Sequence, residues 1–320
     1  MFTPSLSFLA CSLLLSSPFT NADGKVKKGD GKKKADVPKH NEYLERDKKI
    51  LLDWKAKNVV DDPFGWLANW SEHVDVCDFG RISCDPIPDG DGHLAVSGID
   101  FNGALLGGPP GGMSIDPLVG GLNDLVFFHA NTNNFSTGIR DDYSHLPYFQ
   151  EMDISTNLFK GPFPLQFYTA KEIVFVDIRF NAFSGPIPRE AFLVSLLALF
   201  FNDNQFTGTI PDTIGSADIN YLNFGNNPIT GTIPKDFPDQ TDLLQVVLVG
   251  TELEGPIPEG PWKSTDLEFF YASETHLSGK IPESLCLLPK LDLINVTLTN
   301  IDKELGPACT KMQKKKKLFL

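Results

Sequence analysis

The sequence predicts a solenoid of stacked repeats with one parallel sheet on its concave side. One observation is a repeated block, Asn-x-Phe-x-Gly-x-Ile-Pro, with copies that start at Asn157, Asn181, Asn204 and Asn227. A second is an L-x-x-L-x-L pattern that precedes each block. A third is the composition, which includes 27 Gly, 24 Pro and 25 Phe, the residue types that recur in these blocks. The predicted fold class is therefore a leucine-rich repeat solenoid, a right-handed β/α horseshoe with disulfide-capped ends.

The register of the blocks gives about nine repeats. The Asn position recurs at residues 104, 133, 157, 181, 204, 227, 251, 275 and 299, although residue 104 is Ala and the last three are Thr. Weaker Gly-x-Ile-Pro copies lie at residues 255–258 and 279–282. Because a solenoid buries its apolar face only against neighbouring repeats, both ends require caps.

Each repeated residue type has a predicted structural role. The leucine-type residues face inward from a short strand, and the strands of successive repeats stack into the parallel sheet. The Asn side chain satisfies backbone groups that the turn after the strand buries. Gly permits a positive φ, and Pro starts an extended segment. The Phe residues are predicted to stack as an aromatic spine; they are Phe135, Phe159, Phe183 and Phe206.

The chain divides into five predicted regions. Residues 1–22 read as a signal peptide, because an apolar run of suitable length precedes Thr20-Asn21-Ala22. Residues 23–49 are predicted to be a basic linker, 50–92 the N-terminal cap, 93–308 the repeats with a C-terminal cap, and 309–320 a basic tail. That apolar run is too short for a membrane span, and no later segment has 18 apolar residues in a row. Export makes three sequons glycosylation candidates: Asn69, Asn134 and Asn295.

The charge distribution excludes one class of partner and favours another. Residues 58–308 carry 34 Asp and Glu against 11 Lys and Arg. Nucleic-acid binding is excluded, since no basic stripe could release counterions from phosphates. An acidic body instead attracts cationic partners.

The cysteines predict two local disulfides. Cys11 leaves with the signal peptide, so four cysteines remain. Cys77 and Cys84 lie together before the repeats, and Cys286 and Cys309 lie at their far end, so each couple is paired locally. A metal site is not predicted, because neither CxxC spacing nor neighbouring His is present.

Several segments resemble a plant family. The Gly-x-Ile-Pro ending is typical of plant extracellular leucine-rich repeats. The cap residues Leu-Asp-Trp at 52–54, Asn-Trp at 69–70 and the Cys-x6-Cys pair at 77–84 are similar to those of leucine-rich repeat extensins and their extensin-less relatives. Repeat segments that match in order are residues 96–102, 127–129, 175–181 and 284–289. The resemblance covers about residues 50–310, and no Ser-Pro-Pro-Pro-Pro tail follows Cys309. A more distant resemblance is to polygalacturonase-inhibiting proteins, whose cap cysteines are more numerous.

The concave face is the predicted binding site. Side chains alternate across a strand, so the residues between and beside the inward positions point outward. Nine strands at about 4.8 Å spacing give a face roughly 40 Å long, which suits a peptide, protein or glycan chain. The predicted ligand-binding residues are Asp100, Phe127, His129, Glu151, Asp153, Phe175, Asp177, Arg179, Phe200 and Tyr221.

An enzymatic alternative rests on Asp153 and Asp177. Adjacent strands would place these carboxylates roughly 5 Å apart, near the separation in retaining glycosidases. The open sheet excludes no water and Arg179 can neutralise the pair, so we predict no catalysis and no cofactor.

The resemblance and the acidic body together favour a secreted, non-enzymatic recognition protein of the plant cell wall or apoplast. Its predicted ligand is a basic signalling peptide or protein, because the extensin-type family is associated with basic, cysteine-rich peptides. The alternatives are an inhibitor of microbial polygalacturonases and a wall-structural protein that binds pectin through its basic ends.

Overall fold

The computed structural model describes residues 42–87 and 92–320. The predicted signal peptide and most of the predicted linker lie outside the described residues. The described residues form a solenoid with a continuous apolar core, which confirms the predicted fold class.

The concave side is a sheet of eleven strands in the described part of the chain. The first strand is antiparallel to the second, and all later neighbours are parallel. In sheet order the strands are Ile82–Pro86, Leu94–Asp100, Phe127–His129, Glu151–Asp153, Phe175–Asp177, Leu196–Phe200, Ile219–Asn223, Gln245–Val247, Phe269–Tyr271, Leu293–Asn295 and Leu318–Phe319. The second to tenth strands correspond to the nine predicted repeats.

The convex side carries short elements instead of long helices. Proline in most blocks removes a backbone donor and fixes φ, so helices there stay short. The 3-10 helices of the repeats are Leu165–Thr169, Arg189–Phe192, Asp212–Ser216 and Phe237–Asp239, and the short α-helices are Asp116–Val119 and Glu283–Cys286. Small parallel sheets lie beside them, formed by Met113–Ser114 and Phe135–Thr137; by Lys160–Gly161, Ala182–Pro186 and Gln205–Thr207; and by Thr230–Thr232, Glu252–Gly255, His276–Gly279 and Asn300–Ile301.

The Asn ladder joins consecutive repeats through buried carboxamides. The Nδ2 of Asn157 donates to the carbonyls of Ala130 (2.8 Å), Ile154 (3.1 Å) and Ser155 (2.9 Å). Its Oδ1 accepts the Phe135 amide at 3.0 Å. Where Thr replaces Asn, as at Thr275, the hydroxyl donates to one carbonyl of its own turn at 2.9 Å. The last repeats therefore lose the side-chain bond that links one repeat to the next.

The aromatic spine follows the ladder. Phe183 lies between Phe159 and Phe206, with ring centroids 6.1 and 6.4 Å away and rings within 3° of parallel. The glycines of the block adopt the predicted positive φ, for example 85° at Gly185. A second left-handed position, directly before the ladder residue, is unforeseen by the sequence. It is held by bulky residues such as Phe180 (φ 52°) and Leu298 (φ 57°).

The N-terminal cap begins earlier than predicted. The helix Glu42–Asn58 includes residues assigned to the basic linker. Its Leu51 and Trp54 are buried, and Trp54 stacks on Phe101 at 5.5 Å. The linker boundary at residue 49 is therefore wrong, because burying this apolar stripe closes the first repeat.

The C-terminal tail, which the sequence predicted only as a basic tail at residues 309–320, is also folded. Residues Pro307–Lys314 form a helix in which Cys309 and Met312 are buried. The strand Leu318–Phe319 then pairs with Leu293–Asn295 and covers the last repeat. Glu283 accepts the amides of Ala308 (2.8 Å) and Cys309 (3.2 Å), which caps this helix.

Both predicted disulfides are confirmed. Cys77 is bonded to Cys84 in the N-terminal cap, and Cys286 is bonded to Cys309 in the C-terminal cap.

Candidate functional site

The concave face carries two columns of outward side chains in the predicted register. Pairing across the sheet aligns Gly98, Phe127, Glu151, Phe175, Ala198, Tyr221, Gln245, Phe269 and Leu293 in one column. It aligns Asp100, His129, Asp153, Asp177, Phe200, Asn223, Val247, Tyr271 and Asn295 in the other. We call these two columns the concave face.

Aromatic rings recur along the concave face. Phe127, Phe175 and Tyr221 are half-buried, so part of each ring is open to solvent. Phe200 is only 5% exposed and meets Phe175 edge to face at 6.0 Å. Phe200 therefore packs against Phe175 and presents little surface to a ligand.

Asp153 and Asp177 are buried, which corrects the prediction that they attract a ligand from an exposed acidic strip. Their exposed fractions are 1% and 0%. Asp153 accepts the backbone amide of Ser155 at 2.9 Å, its hydroxyl at 2.7 Å and the Asn131 carboxamide at 3.2 Å. Asn131 and Ser155 contact the Asp153 carboxylate and Arg179 contacts that of Asp177, an effect that column position alone does not reveal.

Arg179 is the partner of Asp177. Its Nε lies 2.9 Å from the Asp177 carboxylate, and its backbone amide donates to the same group at 3.1 Å. The guanidinium also lies 5.6 Å from the centre of the Phe200 ring. Burial and then the charge of Asp153 raise the pKa of Asp177 to about 8, despite the opposing effect of Arg179. Arg179 is thus a structural partner of Asp177 with little exposed surface.

Two further ion pairs involve the first three repeats and the N-terminal cap. The Nε2 of His129 lies 2.8 Å from the Glu151 carboxylate. Burial lowers the pKa of His129, but its hydrogen bond to Glu151 and the negative charges of Asp153, Glu151 and Asp100 outweigh this, so the pKa is raised. Asp100 remains the most exposed carboxylate of the set and lies 3.6 Å from Arg81 of the N-terminal cap.

This arrangement favours binding over bond cleavage. Each predicted acid is already paired with a cation or bonded by hydrogen-bond donors. Within residues 42–87 and 92–320, no group of three or more His, Cys, Asp and Glu side chains could hold a metal ion. The chemistry available to a partner is partly open aromatic surface with carboxylates at its edges.

The predicted site did not include two features that the structure places beside it or within it. Arg81 belongs to the cap, so its contact with Asp100 needs the cap to fold against the first repeat. Phe269 and Tyr271 stack at 6.0 Å and extend the aromatic surface towards the C-terminal end. Phe269 and Tyr271 both stand in the two columns of the concave face. Their aromatic side chains could therefore have identified them from the sequence.

Comparison with known proteins agrees with this architecture. Residues 44–85 match the leucine rich repeat N-terminal domain, and residues 218–239 match the leucine rich repeat. The chain is built of leucine-rich repeats. It is similar to leucine-rich repeat extensin-like protein 1 of Arabidopsis thaliana, with 34% identity over 105 residues. The aligned part is 33% of this chain and 13% of that relative, so this chain matches only a small share of the relative's length.

Solved structures of plant proteins share the fold of this leucine-rich repeat chain. One is the ectodomain of the Arabidopsis thaliana receptor kinase GASSHO1/SCHENGEN3 in complex with Casparian strip integrity factor 2. It has a TM-score of 0.66 and 21% identity, over 84% of this chain and 34% of the receptor chain. Another is a plant ice-binding protein, with a TM-score of 0.60 and 24% identity, over 83% of this chain and 91% of that one. These likenesses establish the fold alone.

A search for membrane spans covered the described residues. None of their helices is long and apolar enough to cross a bilayer.

Proposed function

We propose that this leucine-rich repeat chain is a secreted, non-enzymatic recognition protein that binds a basic peptide or protein on its concave face. The observation that carries the proposal is the row of half-buried aromatic rings on an open sheet, at Phe127, Phe175 and Tyr221. Aromatic side chains are the commonest anchors of protein interfaces. The plant wall or apoplast is the proposed location, supported by the extensin-like relative.

Electrostatics supports the basic character of the ligand. The excess of carboxylates in residues 58–308 creates a negative field that steers a cationic partner. On the concave face itself, Asp100 and Glu151 keep 46% and 28% of their side chains exposed. These two residues replace Asp153 and Asp177 as the proposed charged contacts.

The test measures binding kinetics with a panel of disulfide-bonded basic peptides from plant apoplast, using acidic peptides of equal length as the control. Phe175→Ala and Tyr221→Ala are each expected to speed dissociation about tenfold, which corresponds to a loss of roughly 1.4 kcal/mol at an anchor. The matched control is Leu193→Ala, which removes an exposed apolar side chain from the convex side. If the concave variants behave as the control does, the concave face is not the binding surface.

A charge variant tests the steering separately. Asp100→Asn is expected to slow association and to weaken its dependence on salt, because the steering charge is lost. Asp212→Asn is the control, since Asp212 lies on the convex side and also pairs with an arginine, Arg189. Equal association rates for both variants would contradict the proposal.

Pectin binding is a second candidate, supported by one observation. Lys311, Lys314, Lys315 and Lys316 are exposed together on the C-terminal cap. Replacing all four with Gln is expected to abolish retention on a polygalacturonate column if this candidate holds. Unchanged retention would remove it. Inhibition of a fungal polygalacturonase is not expected and would support the inhibitor alternative instead.

A further inference from the structure

One column of turn residues places a sequon between two exposed leucines. Leu105, Asn134 and Leu158 each follow the ladder position of three consecutive repeats. The Asn134 amide donates to the Leu106 carbonyl at 3.1 Å, and the Leu158 amide donates to the Phe135 carbonyl at 2.8 Å. The three side chains are therefore neighbours along the rim of the solenoid, outside the two columns of the concave face.

The two leucines each leave about half of their surface exposed in the described part of the chain. Leu105 is 47% exposed and Leu158 is 58% exposed. The equivalent residues of the next two repeats are Ala182 and Gln205, so the apolar character is confined to the repeats that flank Asn134. A sugar attached to Asn134 would lie over both leucines and shield them from water.

Asn134 differs from the other two sequon asparagines in the freedom of its side chain. It is exposed, and among residues 42–87 and 92–320 no hydrogen bond engages its carboxamide. The Asn69 carboxamide is committed inside the N-terminal cap, where it donates to the Asp78 carbonyl at 2.6 Å and accepts the Gly80 amide at 2.9 Å.

Asn295 is committed in another way. It stands in the concave sheet opposite Tyr271, and its Oδ1 accepts the amide (3.1 Å) and the hydroxyl (2.9 Å) of Thr297. A glycan on this residue would occupy the concave face.

We propose that Asn134 is the N-glycosylation site of this chain and that its glycan covers Leu105 and Leu158. In the transfer, Nδ2 of Asn134 gives up one hydrogen as a proton and bonds to C1 of the first N-acetylglucosamine. The bond from C1 to oxygen of the lipid pyrophosphate donor breaks, and the pyrophosphate keeps the electron pair. Asn69 and Asn295 remain unmodified.

The experiment expresses the full chain in plant cells with residues 1–22 replaced by a signal peptide of proven activity. Secreted protein is digested and its glycopeptides are mapped by mass spectrometry before and after enzymatic release of the glycans. The same digest reports the Cys77–Cys84 disulfide, which verifies passage through the oxidising compartment. The expected result is a glycan on the peptide that contains Asn134 and unmodified peptides for Asn69 and Asn295.

Three variants separate modification from structure. Ser136→Ala removes the sequon but keeps Asn134, and it is expected to abolish the glycan. Ser136→Thr keeps the sequon and is expected to keep the glycan. Asn134→Gln is expected to bind more of an apolar fluorescent dye than glycosylated protein, and adding Leu105→Gln with Leu158→Gln should reverse that gain.

Two results would overturn the proposal. One is secreted, disulfide-bonded protein without a glycan on Asn134, and the other is a glycan on Asn69 or Asn295. Equal dye binding by glycosylated protein and Asn134→Gln would refute the shielding role. None of these measurements involves a ligand of the concave face, so they stand or fall independently of the proposed binding function.

Discussion

Removing one rung of the Asn ladder should destabilise the solenoid strongly. Asn157→Ala deletes the two N–H donors of Nδ2, which are shared among three carbonyls, and one hydrogen bond accepted by Oδ1. The Phe135 amide and the Ala130 carbonyl belong to the preceding repeat, so the change breaks a contact between repeats as well as one within a turn. Because all these groups are buried, water cannot replace the lost partners.

The magnitude follows from the number of bonds. At about 1 kcal/mol for each of these three net hydrogen bonds, the variant should lose roughly 3 kcal/mol of its free energy of unfolding. Asn157→Thr should recover about 1 kcal/mol of this. The reason is that Thr275, at the equivalent position of a later repeat, donates its hydroxyl to one carbonyl of its own turn. A threonine at residue 157 should restore the same single bond. Such a loss is a large share of the 5–15 kcal/mol typical of a folded domain.

The assay is urea unfolding of the secreted, disulfide-bonded chain, followed by circular dichroism. Thr275→Ala is the control, because it removes a single hydrogen bond of the same ladder and should cost only about 1 kcal/mol. A loss for Asn157→Ala no greater than that of Thr275→Ala would refute the reasoning that the carboxamides join the repeats.

Two further predictions concern pH and the C-terminal cap. The folded pKa of Asp177, about 8, lies above its unfolded value near 4, so the folded protein holds an extra proton between these pH values. The stability gained from this proton is present at pH 5 and is lost as the pH rises to 9. The urea midpoint should therefore fall over this range. In Asp177→Asn it should fall less steeply than in the unchanged protein. His129, whose pKa is also raised, should contribute to the slope above pH 6.5 in the same direction. Replacing Cys286 and Cys309 by Ser opens a loop with a sequence separation of 23 and should cost about 3 kcal/mol in the same assay, whereas an unchanged midpoint would show that the disulfide is dispensable.

The sequence by itself determined the repeat architecture of this protein. The spacing of Asn157, Asn181 and Asn204 was enough to predict the strands, the ladder, the Phe spine and the columns of the concave face. The reason is that each repeat contacts mainly the next one, so a short, regular period specifies the contacts. The disulfides could also be paired from position, because each closes one end of the stack.

Tertiary structure alone decided which of the outward residues reach solvent. Asp153 and Asp177 occupy outward positions, yet Asn131, Ser155 and Arg179 enclose them. Exposure depends on the volumes and hydrogen bonds of side chains on several strands at once, and a period in the sequence does not encode these.

The ends were decided in the same way. The helix Glu42–Asn58 and the strand Leu318–Phe319 lack the repeat pattern. The repeat period therefore did not predict the start of this helix or this last strand. They are ordered because the first and last repeats each leave an apolar face that must be covered. The need for caps could therefore be read from the sequence, whereas the segments that fill this role were settled by packing against those faces.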